Sequence, residues 1–176
     1  MKYFLTMLLV SFSIAITAQT KKIPHEEAVK TIDGTLTRML QLLSVEKGNA
    51  IDTKSLKELF LPNVTFSVRA SDEKYPNPFE TVNLEDFLES LNDNYYKQGY
   101  EEKELGKVVN EFNGIANVFQ SFIGSDSEGN TEKGINSYQL VYLKDRWWIA
   151  NMIWTMETDE VKIPKKYFHE NSKKKQ

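Results

Sequence analysis

The 176-residue sequence predicts an α+β domain, with helices in its N-terminal half and strands in its C-terminal half. Three observations support this class. Apolar residues recur at three- and four-residue steps over residues 25–44, the spacing of a helix that buries one face. Two aromatic-rich runs between residues 134 and 156 surround a polar turn at Lys144 and Asp145, which is typical of a hairpin. Asn113 and Gly114 form a favoured two-residue turn, which predicts a second hairpin.

The predicted helices number about three. The first covers residues 25–44, and a shorter one follows over residues 53–61 and ends at Pro62. The third begins after Asn83, whose side chain can accept a hydrogen bond from the first turn, and it ends at Gly99. Each carries a stripe of apolar residues at helical spacing, so each is expected to bury one side against the sheet.

The predicted strands begin with residues 63–70, where apolar and polar residues alternate. Residues 71–82 contain two prolines and predict a loop. Four strands then fill residues 101–112, 115–124 and the two arms of the last hairpin, and residues 125–133 predict a polar loop. The acidic run of Glu101, Glu102 and Glu104 is expected to form a solvated edge that discourages the addition of another strand.

Strict alternation gives the last strand two faces. One face would carry Trp147, Ile149 and Asn151. The other would carry an unusually apolar row: Trp148, Ala150, Met152, Trp154 and Met156. We expect this row either to bind a second copy of the chain or to be covered by residues 161–168, because an exposed apolar patch of that size needs a partner.

The N-terminus has the layout of a secretory signal peptide. Lys2 precedes an apolar run over residues 5–16, and Ala18 ends a small-residue cleavage site. The run is short for a membrane span, so we expect an exported protein, periplasmic or secreted, that keeps no stable membrane span after residues 1–18 are removed. An uncleaved N-terminal anchor is the alternative.

Residues 19–160 are expected to form one domain, followed by a basic tail over residues 161–176 that is flexible at its end. The chain has no cysteine, which excludes disulfides, a thiol nucleophile and cysteine-based zinc sites. The formal net charge of −3 gives no indication of a nucleic-acid partner. No zinc-protease, calcium-loop or phosphate-loop motif occurs, so we predict neither a metal nor a cofactor.

The order of elements, together with the segments FNGIANVFQSF and GINSYQLVYLKDRWWIANMIW, resembles the NTF2-like superfamily, and within it the SnoaL-like and DUF4440-like groups. The matching motifs are Gly114-Ile115-Ala116 and Trp147-Trp148-Ile149, and the resemblance covers residues 26–156. It implies a strongly bent antiparallel sheet wrapped on the helices to form a cone with an internal pocket. It also implies a homodimer through the outer face of the sheet.

Catalytic members of that superfamily use Asp or His side chains inside the cone. His25 and His169 fall outside the predicted strands, which argues against a histidine mechanism. Asp33, beside the apolar stripe of the first helix, is the one catalytic candidate, with a simple helix-surface role as the alternative. Polar and aromatic residues within the strands would line a pocket for a small molecule, unless their polar sides face solvent: Phe66, Arg69, Asn117, Gln120, Tyr138, Tyr142, Asn151 and Trp154.

Three functions are compatible with this sequence. The favoured hypothesis is an exported NTF2-like domain that binds a small apolar or amphipathic ligand in its cone without catalysis, as a homodimer. The second is a SnoaL-like isomerase, cyclase or dehydratase that uses an internal carboxylate. The third is a protein-interaction module of the cell envelope that docks through the face carrying Trp148 and Trp154.

Overall fold

The computed structural model describes residues 24–70 and 78–169. The predicted signal peptide lies outside these described residues. Within them, helices precede most of a six-stranded sheet, and the predicted α+β class is confirmed.

The long helix predicted over residues 25–44 is two helices, α1 (His25–Ala28) and α2 (Ile32–Leu43). The break arises because the Thr31 hydroxyl accepts the N–H of Gly34 at 2.9 Å, which caps a new helix. Gly34 also lies against the carbonyl oxygen of Ala28, where no side chain would fit. The chain is therefore extended at Thr31, between the two helices, which periodicity alone does not reveal.

Three shorter helices follow: α3 (Thr53–Lys57), α4 (Leu84–Ser90) and α5 (Asn94–Lys97). Asn83 caps α4 as predicted, accepting the N–H of Asp86 at 3.0 Å. The expectation of one helix up to Gly99 is wrong, because the Asp93 side chain accepts the N–H of Tyr95 at 2.8 Å and starts α5 afresh. The restarted helix α5 carries Tyr95 and Tyr96.

The strands form one sheet in the order β2-β1-β6-β5-β4-β3. Their bounds are β1 (Phe60–Arg69), β2 (Phe79–Val82), β3 (Tyr100–Phe112), β4 (Ile115–Asp126), β5 (Thr131–Leu143) and β6 (Arg146–Met156). β1 and β6 run parallel, and the other neighbouring pairs run antiparallel. The predicted loop over residues 71–82 is wrong in its last part, because β2 pairs with β1 there.

Both predicted hairpin turns are present. Asn113 (φ 45°) and Gly114 (φ 79°) join β3 to β4, and Lys144 (φ 52°) and Asp145 (φ 60°) join β5 to β6. Two consecutive positive φ angles match the right-handed twist of the flanking strands, which is why such two-residue turns close hairpins.

A bulge at Ala150 changes which side chains of β6 face the core. Gln139 pairs with Asn151 while Leu140 pairs with Ile149, so Ala150 is the extra residue. The predicted face assignment is therefore wrong beyond this point. Trp147, Ile149 and Met152 are all buried on the inner face, whereas Ile153 is exposed on the outer face.

The core lies between the inner face of the sheet and the helices. Leu36 and Met39 of α2 are fully buried. Phe66 of β1 stacks on Phe87 of α4 with 3.9 Å between ring centroids. This packing fills the inner face up to the middle of β5, where Tyr138 is fully buried. Beyond it, toward Gly134, the inner face turns partly polar.

The C-terminal segment, residues 161–169, packs against β3 and β4 and contains a 3-10 helix at Lys165–Tyr167. The Ser121 hydroxyl donates to the carbonyl oxygen of Tyr167 at 2.6 Å, and the N–H of His169 donates to the carbonyl oxygen of Leu105 at 2.9 Å. The segment thus bends round the free edge of β3, and it is not the cover of the Trp148 row that was one of our two expectations.

Candidate functional site

Two cavities meet at one side chain. A cleft of about 690 Å³ lies between α2 and β3, and a chamber of about 90 Å³ lies between the inner face of the sheet and helices α4 and α5. Glu102 contributes to the lining of both. We call these cavities the cleft and the chamber.

The chamber is walled mainly by aromatic rings. Tyr95 and Tyr96 project from α5, and Tyr100 opens β3 directly after Gly99, whose φ of 98° turns the chain back on the helix. The three ring centroids are separated by 5.3, 5.6 and 5.5 Å. Gly124 admits the Tyr100 ring, because a Cβ at that position would lie 2.5 Å from the phenolic oxygen.

Glu102 places a carboxyl group where the cleft and the chamber meet. Tyr100 Oη donates to it at 3.1 Å, and Asn136 Nδ2 donates to it at 2.9 Å. Its backbone N–H donates to Ser44 Oγ at 3.0 Å, which fixes this part of β3 against the end of α2. Burial raises the pKa of Glu102 to about 7, and the nearby carboxylate of Glu132 contributes in the same direction.

The acidic run of Glu101, Glu102 and Glu104 is predicted to form a solvated edge, and this expectation is wrong for Glu102 and Glu104. All three glutamates border the cleft, but Glu102 and Glu104 are partly buried, whereas Glu101 is exposed and pairs with Lys103 at 2.6 Å. The even-numbered residues share the inner face here because alternation holds from Tyr100 to Glu104.

Glu104 belongs to a second polar cluster, which is charge-compensated. Lys107 Nζ lies 2.7 Å from one Glu104 oxygen and 2.8 Å from a carboxylate oxygen of Asp33. Gln120 Nε2 donates to Glu104 at 2.7 Å, and His169 Nε2 lies 3.0 Å from it. The two carboxyl groups therefore have different surroundings: Glu104 has the lysine cation of Lys107 beside it, and Glu102 is held by neutral donors.

No family model matches the chain, and no curated protein matches it. Solved structures do match. An NTF2-like protein with a cystatin-like fold from Novosphingobium aromaticivorans is similar, with a TM-score of 0.55 over 72% of this chain and 81% of that one, at 12% identity. The chain has the NTF2-like fold.

Two other solved structures are similar to this chain in fold. One is a candidate scytalone dehydratase from Novosphingobium aromaticivorans, with a TM-score of 0.57 over 72% of this chain and 82% of that one, at 12% identity. The other is the CaMKII hub of S. rosetta, with a TM-score of 0.52 over 73% of this chain and 95% of that one, at 13% identity. At these identities the likeness concerns the fold alone, which confirms the predicted architecture.

The predicted site residues scatter over this NTF2-like fold. Asp33 is 75% exposed in its side chain and pairs with Lys107, so it is not an internal carboxylate. Trp154 lines the chamber, and Gln120 is buried beside Glu104. Phe66 and Tyr138 belong to the core. The remaining four lie away from both cavities: Arg69, Asn117 and Tyr142, which are exposed, and Asn151, which bonds Thr65.

Residues 24–70 and 78–169 contain neither a metal-binding cluster nor a membrane-spanning helix. No group of three or more His, Asp or Glu residues in these ranges is arranged to hold a metal ion. No helix in them has both the length and the apolar character needed to cross a bilayer.

Proposed function

We propose that this NTF2-like domain binds a small amphipathic molecule where the cleft and the chamber meet, with Glu102 as the polar anchor. The observation that carries the proposal is the position of this carboxyl group between a charged cleft and an aromatic chamber. Ligand sites are concave and mostly apolar, with a few polar groups that fix orientation, and this junction has that composition.

The two cavities call for different ends of one ligand. The chamber offers Phe87, Phe122 and Trp154 in addition to its tyrosines, which favours a compact group that packs on aromatic rings. The cleft is larger and carries Lys107, Glu104 and His169 on its wall, which favours polar substituents. An amphipathic molecule satisfies both surroundings at once.

A screen of small amphipathic molecules by ligand-observed NMR tests this proposal. We expect molecules that bind the wild-type protein to lose affinity about tenfold in Glu102→Gln, the loss typical of one charge-assisted hydrogen bond. Glu128→Gln is the matched control, because Glu128 is exposed in the β4–β5 turn and undergoes the same change of charge. Hits that bind Glu102→Gln as tightly as the wild type would contradict the proposal.

Proton-transfer catalysis is the second candidate, and the pKa of Glu102 favours it. A carboxyl group with a pKa of about 7 is suited to take up and return a proton at neutral pH. Burial holds the pKa of the Tyr100 hydroxyl well above its usual value, so Tyr100 stays protonated and can donate. The reaction class would be an isomerisation or dehydration of a small substrate, with Glu102 rather than Asp33 as the internal carboxylate.

Export and a homodimer stay predictions from the sequence. The outer face of the sheet exposes Phe112, Ile115 and Ile153, at 78%, 58% and 38%. These apolar side chains support an interface between two copies of the chain or with another envelope protein, the third of our hypotheses.

A further inference from the structure

We infer that the chamber recognises an organic cation, a substituted ammonium group at one end of the ligand. This inference rests on the proposed ligand site at Glu102 and names the chemical class that the site takes. It stands on three features of the chamber: the arrangement of its rings, its uncompensated carboxylates and its size.

The rings are arranged as walls rather than as a stack. The planes of Tyr95 and Tyr96 meet at 85°, those of Tyr96 and Tyr100 at 83°, and those of Tyr95 and Tyr100 at 49°. Stacked rings would present a flat platform for a planar ligand. Rings at these steep angles pack edge to face and turn their π faces in different directions, and a π face that lines the chamber attracts a compact cation.

The carboxylates of the chamber have no cationic partner among the described residues. Glu102 and Glu132 both line it, and neither forms an ion pair with a lysine, arginine or histidine in that part of the chain. The charged group that acts on Glu102 is Glu132, and the one that acts on Glu132 is Asp126, and both are acidic. The other titratable groups that face the chamber are the three tyrosines.

A buried carboxylate without a cation is unfavourable, and it either takes up a proton or binds a positive ligand. Glu104, two residues away on the same face, shows the usual solution, because Lys107 lies 2.7 Å from it. Of these two neighbouring carboxyl groups, only the one that lines the chamber lacks a cation. The raised pKa of Glu102 agrees with this account, since it is the response of the carboxyl group when no cation is bound.

The size of the chamber restricts the cation. Its volume of about 90 Å³ is several times what one water molecule needs, roughly 10–15 Å³, and too small for a fused ring system. Tyr95 is 42% exposed and Glu132 is exposed, so the chamber reaches the surface beside them. A compact ammonium head group fits these limits.

Calorimetric titration at pH 8 with choline and with 3,3-dimethyl-1-butanol tests the inference, because the second molecule replaces the charged nitrogen of choline with carbon. We expect choline to bind the wild-type protein at least about tenfold more tightly than its neutral isostere, as cation–π contacts with desolvated rings and a carboxylate predict. Glu102→Gln should reduce this preference several-fold, because only the contribution of the rings remains, and Glu128→Gln should retain it in full.

Tyr95→Leu provides a second variant with little risk to folding, because Tyr95 is half-exposed. It should weaken choline binding several-fold and leave the isostere unaffected. Circular dichroism at the titration temperature confirms that each variant is folded. Equal binding of the two molecules, or failure of choline to bind folded wild-type protein, would overturn the cation inference. The NMR screen contains neutral as well as cationic molecules. If the cation inference alone is wrong, neutral molecules still bind in that screen; if the proposed function is wrong, none of the molecules binds in a way that depends on Glu102.

Discussion

Glu102→Gln is expected to stabilise the fold at pH 8 and to leave its stability nearly unchanged at pH 4. The pKa of Glu102 rises from 4.5 to about 7 on folding. Between these pH values the folded protein binds a proton that the unfolded chain has lost, so the free energy of unfolding falls as the pH rises through this window. Above pH 7 the wild-type protein carries a buried charge that glutamine does not have.

The upper limit of this effect follows from the shift in pKa, since each unit corresponds to about 1.4 kcal/mol. We expect Glu102→Gln to gain about 2 kcal/mol at pH 8, because relaxation around the site reduces the full value. Asn136 can still donate to the glutamine oxygen, so the geometry is retained. Urea unfolding at pH 4, 6 and 8 measures the difference, with Glu128→Gln as control. A difference that does not change with pH would contradict the explanation.

Gly106→Ala is expected to lower the free energy of unfolding by about 2 kcal/mol through the C-terminal segment. A Cβ at Gly106 would meet the carbonyl oxygen of Tyr167 and would lie 2.5 Å from both the backbone nitrogen of His169 and the carbonyl carbon of Phe168. Backbone atoms cannot give way as a flexible side chain can. The segment must therefore move, and it loses the hydrogen bonds to Ser121 and Leu105.

A double-mutant cycle isolates this effect. The same substitution is made in a chain that ends at residue 162, where the segment is absent, and in a chain that ends at residue 169, where it is retained. Thermal or urea unfolding should show a cost of about 2 kcal/mol in the longer chain and only a few tenths in the shorter one. An equal cost in both would mean that Gly106 is needed for the β3 strand itself.

The hairpins could be predicted because their signals are local. Asn113 and Gly114, like Lys144 and Asp145, adopt positive φ within two residues, and the strands follow from them. The breaks between helices depend on equally short signals, the caps at Thr31 and Asp93, but these compete with a longer apolar stripe that continues across them. The apolar stripe predicts one continuous helix in each case, whereas in the structure each cap begins a new helix.

The two faces of β6 could not be predicted because the bulge at Ala150 has no composition signal of its own. It depends on the register with β5.

Glu102 was missed for a related reason. Three nearby glutamates are typical of a solvated segment. Glu102 instead lies beside the aromatic chamber, because it shares the inner face with Tyr100 and its backbone N–H bonds Ser44. Trp154 was predicted as a ligand residue and lines the chamber, because bulk and aromaticity are local properties.

The central prediction is that Glu102 is a buried carboxyl group that titrates near neutrality. A ¹³C NMR titration of the glutamate side-chain carboxyl groups, with the Glu102 signal assigned by its loss in Glu102→Gln, measures this directly. We predict an apparent pKa of about 7 for Glu102. A value near 4.5, the ordinary value of a glutamate, would contradict it.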